Sequence, residues 1–409
     1  MNNLRLFFSA GEPSGDLHAA HLIDRLRSLE PETECIGFGG PKMQSSNCKL
    51  LADLTQHAVM WLKKPLANYF LFRNFLKQAE AVFASEKIDA VILVDYPGFN
   101  WHVAKCAKKY GIPVYYFMPP QIWSWASWRV KKMKRYVDKV FSPLPFEQRW
   151  FEKHGIETDY IGHPFFEETR QYQPDTAFME SFRKQCGDEP ILTLLPGSRD
   201  QEVHGNLADI LFAVEIVRAA VPKVRPVFAA FKETQAAFIR KMLEQRGLMI
   251  PVFVGKTPEL LRLASCCLAV SGSVSLESLA CNKPAVIYYR VGRLPFFIQR
   301  FFRRTPSITL VNLLELDRHR NETTGETPVF YGDAVRFIPA EADVETRSKM
   351  LFPEFLTCTD KSKEAAACLI DWLSTPESIQ QSKERLASLL QEVDSVSSPL
   401  TAAAKKIIG

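Results

Sequence analysis

Four short stretches of this 409-residue chain carry small and charged residues in patterns that can hold an anion or move a proton. The first is Ser9-Ala10-Gly11-Glu12-Pro13-Ser14-Gly15-Asp16. An apolar run ends there, two glycines permit a tight turn, and Ser14 or Asp16 can cap a following helix. A helix N-terminus so placed can face a ligand, but the spacing is not G-x-G-x-x-G, and a plain capped turn explains it equally well. The second is Asp95, directly after Val91-Ile92-Leu93-Val94 and before Tyr96-Pro97-Gly98-Phe99-Asn100. A carboxylate at the end of a buried strand can act as a general base, or simply cap its own loop.

The third stretch, Leu194-Leu195-Pro196-Gly197-Ser198-Arg199, again ends an apolar run in a glycine turn. Arg199 then heads a helix, and a planar, permanently charged fork suits a diphosphate. The fourth, Val270-Ser271-Gly272-Ser273-Val274-Ser275-Leu276-Glu277, offers small hydroxyls and a glycine for phosphate oxygens, with Glu277 a turn later for two ribose hydroxyls. Capping and the helix dipole alone would account for it. Its coincidence with Arg199 favours a nucleotide.

Two acid-free segments mix aromatics with cations. From Leu54 to Ala79 these include Trp61, Lys63, Lys64, Phe70, Phe72 and Arg73. From Ser278 to Leu314 they include Arg293-Leu294-Pro295-Phe296-Phe297-Ile298-Gln299-Arg300-Phe301-Phe302-Arg303-Arg304. Apolar wedges flanked by cations suit an anionic membrane surface, and a core helix with a basic edge is the alternative. A third basic run, Arg129–Arg135, follows Trp123, Trp125 and Trp128 and reads as a solvated helix face. The histidines, His18, His102 and His163 among them, show no metal-ligand spacing.

The elements that must position these residues alternate throughout. Strands are expected at Arg5–Ala10, Cys35–Gly39, Ala90–Val94, Val114–Met118, Lys139–Ser142 and Thr158–Ile161. A second series is expected at Ile191–Leu195, Arg225–Phe231, Ile250–Val254, Cys267–Ser271 and Ala285–Tyr289. Amphipathic stretches such as Leu17–Leu29 and Val103–Tyr110 lie between them. Buried apolar strands alternating with helices imply parallel α/β sheets covered on both faces. The polar stretch Glu167–Glu189 separates the two series. The expected organisation is therefore a Rossmann-like domain over 1–168 and a second over 169–360, with ligands bound in a cleft at the carboxyl ends of both sheets. A surface insertion is expected at about 317–349, and C-terminal helices over 361–409 pack back on the body.

Composition agrees with a folded chain: 46% hydrophobic, 24% charged, net charge +5. That charge is too weak to indicate nucleic acid. No apolar run reaches the ~18–20 residues of a membrane span, and the start does not read as a signal peptide. The nine scattered cysteines lack CxxC spacing and read as reduced core thiols. A cytoplasmic protein is expected.

The assembled motifs resemble those of the lipid-A-disaccharide synthases, inverting glycosyltransferases of lipopolysaccharide assembly. The matching segments are AGEPSGD at Ala10–Asp16, GFGGPKM at Gly37–Met43, DYPGFN at Asp95–Asn100, PPQIWSW at Pro119–Trp125 and LPFEQRWF at Leu144–Phe151. They continue with IGHP at Ile161–Pro164, LLPGSR at Leu194–Arg199, SGSVSLE at Ser271–Glu277, Tyr289-Arg290 and VNLL at Val311–Leu314. The chain departs from the family pattern at Met60-Trp61, at Lys63-Lys64-Pro65 and at Gly98, where the family often carries a second Asp.

The resemblance implies a GT-B architecture, two Rossmann-like parallel-sheet domains facing a cleft, with no cofactor and no metal in the site. It implies UDP-2,3-diacylglucosamine as donor and 2,3-diacylglucosamine 1-phosphate as acceptor, and peripheral attachment to the cytoplasmic face of the inner membrane. Asp95 becomes the catalytic base. Arg199, Ser271, Gly272, Ser273, Glu277 and Asn312 fall on the nucleotide-sugar side, and Glu12, Ser14, Gly15 and Asp16 on the acceptor side. Trp61, Phe70, Phe72, Phe296, Phe297, Phe301 and Phe302 are expected to meet acyl chains or an anionic membrane. A homodimer is left open. A UDP-sugar epimerase or hydrolase on the same fold, or a non-catalytic lipid or nucleotide-sugar binder, is the alternative reading.

Overall fold

The computed structural model describes residues 3–58, 65–270, 274–324 and 342–409. The chain divides into two compact units, Met1–Glu167 with Val393–Gly409, and Glu168–Glu392.

The first unit is built on a seven-stranded sheet: β1 (Arg5–Ala10), β2 (Glu34–Gly39), β3 (Lys49–Asp53), β4 (Ala90–Val94), β5 (Val114–Phe117), β6 (Lys139–Ser142) and β7 (Thr158–Tyr160). All neighbours are parallel, in the order β3-β2-β1-β4-β5-β6-β7. The second unit carries β8 (Ile191–Leu195), β9 (Arg225–Ala230), β10 (Val252–Val254), β11 (Cys266–Ala269), β12 (Ala285–Arg290) and β13 (Glu354–Thr357), in the order β10-β9-β8-β11-β12-β13. Both orders are the doubly wound one, in which winding reverses direction beside the first strand of each sheet. Ligands of such sheets sit at the carboxyl ends of the two strands flanking that reversal. Here those strands are β1 with β4, aligned Ala10 to Val94, and β8 with β11, aligned Leu195 to Ala269.

The local sequence makes these elements in a recurrent way. Helices of the first unit open with proline in the first turn, at Pro13, Pro41, Pro97 and Pro145. Proline's missing N–H costs nothing there and its fixed φ starts the turn. The strands at the centre of each sheet are the most deeply buried; Ala90–Val94 and Ile191–Leu195 are buried at every residue. The two strands not anticipated above, β3 and β13, lie at sheet edges and are mostly half-buried, without the long apolar run that marks a central strand.

The tail does not behave as one block. The Ser362–Ser374 helix lays Ala365, Ala366, Leu369 and Trp372 into the core of the second unit. The Pro399–Ile408 helix instead places Leu400, Ala403, Ala404 and Ile407 in the core of the first, against the Pro13–Leu29 helix. Small alanines on both helices allow the close approach. The described parts of the expected insertion at 317–349 are largely regular structure. Leu316 and Asp317 are buried within the Leu310–Thr324 helix, and Val344–Lys349 is helical, whereas 325–341 lies outside the described residues.

Candidate active site

In the first unit, the carboxyl ends of β1 and β4 are tied by one buried side chain. The Asn100 amide donates to the carbonyls of Ser9 (3.2 Å), Val94 (3.2 Å) and Asp95 (2.8 Å), while its own oxygen accepts from the Ser9 hydroxyl at 2.7 Å. A second donor, the Tyr116 hydroxyl, reaches the Asp95 carbonyl at 2.6 Å. These bonds hold an unfavourable backbone. Asp95 and Tyr96 both lie in the left-handed region, at φ +42° and +44°. Non-glycine residues there cost of order 1–3 kcal/mol each, and such strain persists only where the surroundings over-determine it. Gly11 is part of the same fit: a Cβ on it would lie 2.1 Å from the Tyr96 ring.

The turn presents Asp95 in a half-buried position and pushes its carboxyl up to about 6. Burial is the main cause, the negative charge of Glu12 adds to it, and the Tyr96 amide and the positive charge of His18 work against it. A carboxylate so tuned is ionised at neutral pH yet holds a proton better than a solvated one, as a general base must. Glu12 is exposed and therefore available to a ligand as well as to Asp95, and Ser14 is exposed beside it. Gly15 is buried against Ala10 and Val94. Asp16 is not an acceptor-side residue: it is 2% exposed and accepts from the amides of Gly40, Lys42 and Met43 at 2.7–3.1 Å. It caps the Pro41–Ser45 helix from another element, which spends the carboxylate on the fold. Gly98 is exposed with open space where a Cβ would stand, so the missing second carboxylate reflects sequence rather than room.

In the second unit, a cavity of about 340 Å³ opens at the ends of the strands around the winding reversal. Leu195, Gly197 and Ser198 line it from β8, Ala229 and Phe231 from β9, Gly255, Thr257 and Pro258 from beyond β10, and Val270, Val274 and Glu277 from beyond β11. Gly197 takes φ +109°, and a Cβ on it would meet the Glu202 carboxylate at 2.7 Å. Glu202 in turn accepts from the Arg199 amide at 3.2 Å and from its guanidinium at 3.0 Å. Arg199 therefore heads the Asp200–Ala220 helix with one nitrogen on Glu202, while its side chain remains 81% exposed. The Gln235 side chain joins two rims of the cavity, donating to the Ser198 carbonyl at 2.9 Å and accepting from the Phe231 amide at 3.3 Å.

Glu277 faces the cavity with its carboxyl raised by burial, and among the described residues nothing donates to it. Ser271, Gly272 and Ser273 lie outside the described residues. Asn312 contributes no surface at all. It is fully buried, its amide donating to the Phe352 carbonyl at 2.9 Å and accepting from the Leu351 and Phe352 amides at 3.0 and 2.9 Å. It fastens the chain entering β13 and cannot touch a ligand directly.

The aromatic segments separate in the same way. On the Pro65–Ser85 helix Phe70 is 66% exposed, whereas Phe72 is core, packed on Phe75 and Phe99 with ring centroids 6.2 and 5.2 Å away. On the Arg293–Phe302 helix Phe296 is buried, while Phe297, Phe301 and Phe302 are about half exposed beside Leu294 and Ile298. Trp61 lies outside the described residues. Among the described residues no helix is long and apolar enough to cross a membrane, and no three His, Cys, Asp or Glu side chains come together as a metal cluster.

Sequence reasoning missed His18, Gln235 and Phe231. Ser14 and His18 are four residues apart on one helix, and that spacing was the available signal for His18. Phe231 carried none, since a lone aromatic at a strand end is indistinguishable from core until its 68% exposure is seen.

The two parallel-sheet, Rossmann-like units define a GT-B-type fold. A glycosyltransferase of kitacinnamycin superposes with a TM-score of 0.60 at 14% identity, covering 100% of this chain and 99% of its own. The family model for lipid-A-disaccharide synthetase matches residues 6–328, and the chain belongs to that family. The lipid-A-disaccharide synthase of Coxiella burnetii strain CbuK_Q154 is 33% identical over 314 residues, 77% of this chain and 82% of its own length. That of Myxococcus xanthus is 33% identical over 316 residues, 76% and 82% respectively. The protein is thus a glycosyltransferase that forms the lipid A disaccharide from a UDP-sugar.

Proposed function

We propose that the second unit holds UDP-2,3-diacylglucosamine by its nucleotide and that Asp95 activates the 6-hydroxyl of 2,3-diacylglucosamine 1-phosphate. The observation that carries this reading is the half-buried carboxylate on a strained turn at the winding reversal, raised to about 6. Asp95 takes the hydroxyl proton as the oxygen forms its bond to the donor anomeric carbon. The bond from that carbon to the UDP oxygen breaks, and its electron pair leaves with UDP. Attack opposite the leaving group inverts the centre and gives a β-1,6 linkage. Charge gathering on the diphosphate is met by Arg199 and by amides of the glycine-containing turns. Glu277, half-buried and without a donor among the described residues, suits the ribose hydroxyls, which would satisfy it. Asn312 acts here as a positioning residue behind the site.

The test is incubation of the purified protein with UDP-diacylglucosamine, with and without the acylated sugar phosphate, read by mass spectrometry. Disaccharide 1-phosphate should form only when both are present. UDP release without acceptor at the same rate would replace the reading with a hydrolase or epimerase.

The acylated substrates imply work at a lipid surface, on the cytoplasmic face of the inner membrane. The exposed edge of the Arg293–Phe302 helix, Leu294, Phe297, Ile298, Phe301 and Phe302 with Arg293 and Arg300, is the described surface best suited to it. Replacing both Phe297 and Phe301 with Ser should cut sedimentation with anionic vesicles about tenfold or more, since each loses an apolar ring worth about 1.5–3 kcal/mol when fully buried. UDP binding should persist. Vesicle binding equal to the parent's would move the lipid contact elsewhere.

A further inference from the structure

The stretch from Tyr96 to Val137 contains no acidic residue, yet it holds eight cations. Two of them are neutralised: Lys108 pairs with Asp138, and Lys109 with Glu80 at 3.3 Å. Arg129 is not. Its guanidinium lies 4.7 Å from the Trp125 ring centroid, half-buried, and among the described residues no carboxylate or carbonyl accepts from its side chain. A guanidinium offers five N–H donors in a rigid fork, and with its face stacked on Trp125 the fork is preset while its donors stay open to a ligand.

The location singles Arg129 out from an ordinary surface cation. Its charge acts on the buried Tyr116 phenol, the same hydroxyl that holds the Asp95 carbonyl. The segment bearing it is fixed from below. The Trp123 indole donates to the fully buried Glu147 at 2.7 Å, Glu147 also accepts from the Ser142 hydroxyl, and the Arg129 amide closes on the Ala126 carbonyl at 2.9 Å. Trp125 is held edge-on by Trp128, with ring centroids 6.2 Å apart. The Val130–Tyr136 helix packs on the Pro97–Lys109 helix, and Lys132 and Lys105 bear together on His102 between them. Neither lysine has an acidic partner among the described residues. The segment that follows β5 at the carboxyl edge of the first unit is therefore rich in cations, with one fork preset by stacking.

We propose that Arg129, stacked on Trp125 in the segment that follows β5, is the residue that receives the phosphate monoester of the sugar acceptor and so carries the discrimination between phosphorylated and unphosphorylated acceptors. The inference rests on the reading of Asp95 as the acceptor base. Two parallel N–H···O bonds from a planar fork match a terminal phosphate, and Lys105 and Lys132 supply the longer-range field. A lipid headgroup presents the same chemistry, so the test separates the two sources.

The full-length protein and its Arg129→Ala and Arg129→Lys variants are assayed with acylated glucosamine acceptors carrying or lacking the 1-phosphate. The parent should favour the phosphorylated acceptor. In Arg129→Ala the ratio of kcat/KM values for the two acceptors should fall roughly ten- to a hundredfold, chiefly through KM, with Lys recovering part of it. UDP affinity, measured in parallel, reports that the variant is folded. Calorimetric titration with glucosamine 1-phosphate, which needs no turnover, should show the same loss even if the transfer reading fails. An unchanged ratio together with unchanged glucosamine 1-phosphate binding would overturn the proposal. So would a loss confined to sedimentation with phosphatidylglycerol vesicles, which would make Arg129 a headgroup contact.

Discussion

Asp95→Asn should lower single-turnover transfer by 10²–10⁴-fold, the usual range for removing a general base, while leaving UDP affinity near the parent's. The same substitution should stabilise the protein at neutral and alkaline pH. The Asp95 carboxyl stands at about 6 in the folded protein against an ordinary 3.8, so folding favours its protonated form. Stability is therefore lost as pH rises from about 4 through about 6, and above that window the ionised carboxylate costs up to roughly 3 kcal/mol. Asparagine keeps the shape without the charge. Its melting temperature should exceed the parent's at pH 8, and the gap should close towards pH 4. In the parent, kcat/KM should climb to a plateau with an apparent pKa of about 6. A variant that turned over normally would remove Asp95 as the base, and Glu12 or His18 would be examined next. One that simply melted earlier at pH 8 would make Asp95 a structural residue.

Arg199→Ala should weaken UDP binding roughly ten- to a hundredfold, the effect of losing a charge-assisted contact worth about 1.5–3 kcal/mol. The side chain is 81% exposed, next to two residues that line the cavity, and only one of its nitrogens is engaged with Glu202. Arg199→Lys should fall between the two, because it retains the charge and loses the fork. The competing outcome is specific. If Arg199 serves only to neutralise the buried Glu202, the alanine variant would lose stability and bind UDP as tightly as the parent in calorimetry. That result would return the diphosphate to the turn amides alone.

Much of the scaffold was legible because a parallel sheet buried on both faces leaves a strong mark. Arg5–Ala10, Ala90–Val94, Lys139–Ser142 and Ile191–Leu195 read as strands from their apolar runs and are strands with those bounds. Lys49–Asp53 and Glu354–Thr357 leave a weaker mark, since both are short, mostly half-buried edge strands that mix charged residues into a brief apolar run. Helix starts were read late, at Leu17 and Val103 rather than Pro13 and Pro97, because apolar periodicity begins only after the proline-led first turn.

At the sites, the sequence determined the chemistry on offer: a carboxylate closing a buried strand, an arginine after a glycine turn, a glutamate a turn into a helix. Tertiary structure decided which groups are free to use it. Asp16 and Asn312 look as reactive in the sequence as Asp95 and Glu277. The amides of Gly40, Lys42 and Met43 consume the first, and those of Leu351 and Phe352 consume the second. Phe72 and Phe296 are of the same type as Phe70 and Phe297, and only packing makes the first pair core and the second surface. The reason is common to all of these cases. Residue type and spacing fix which bonds a side chain can make, but burial and the partners brought from distant parts of the chain fix which remain unmade.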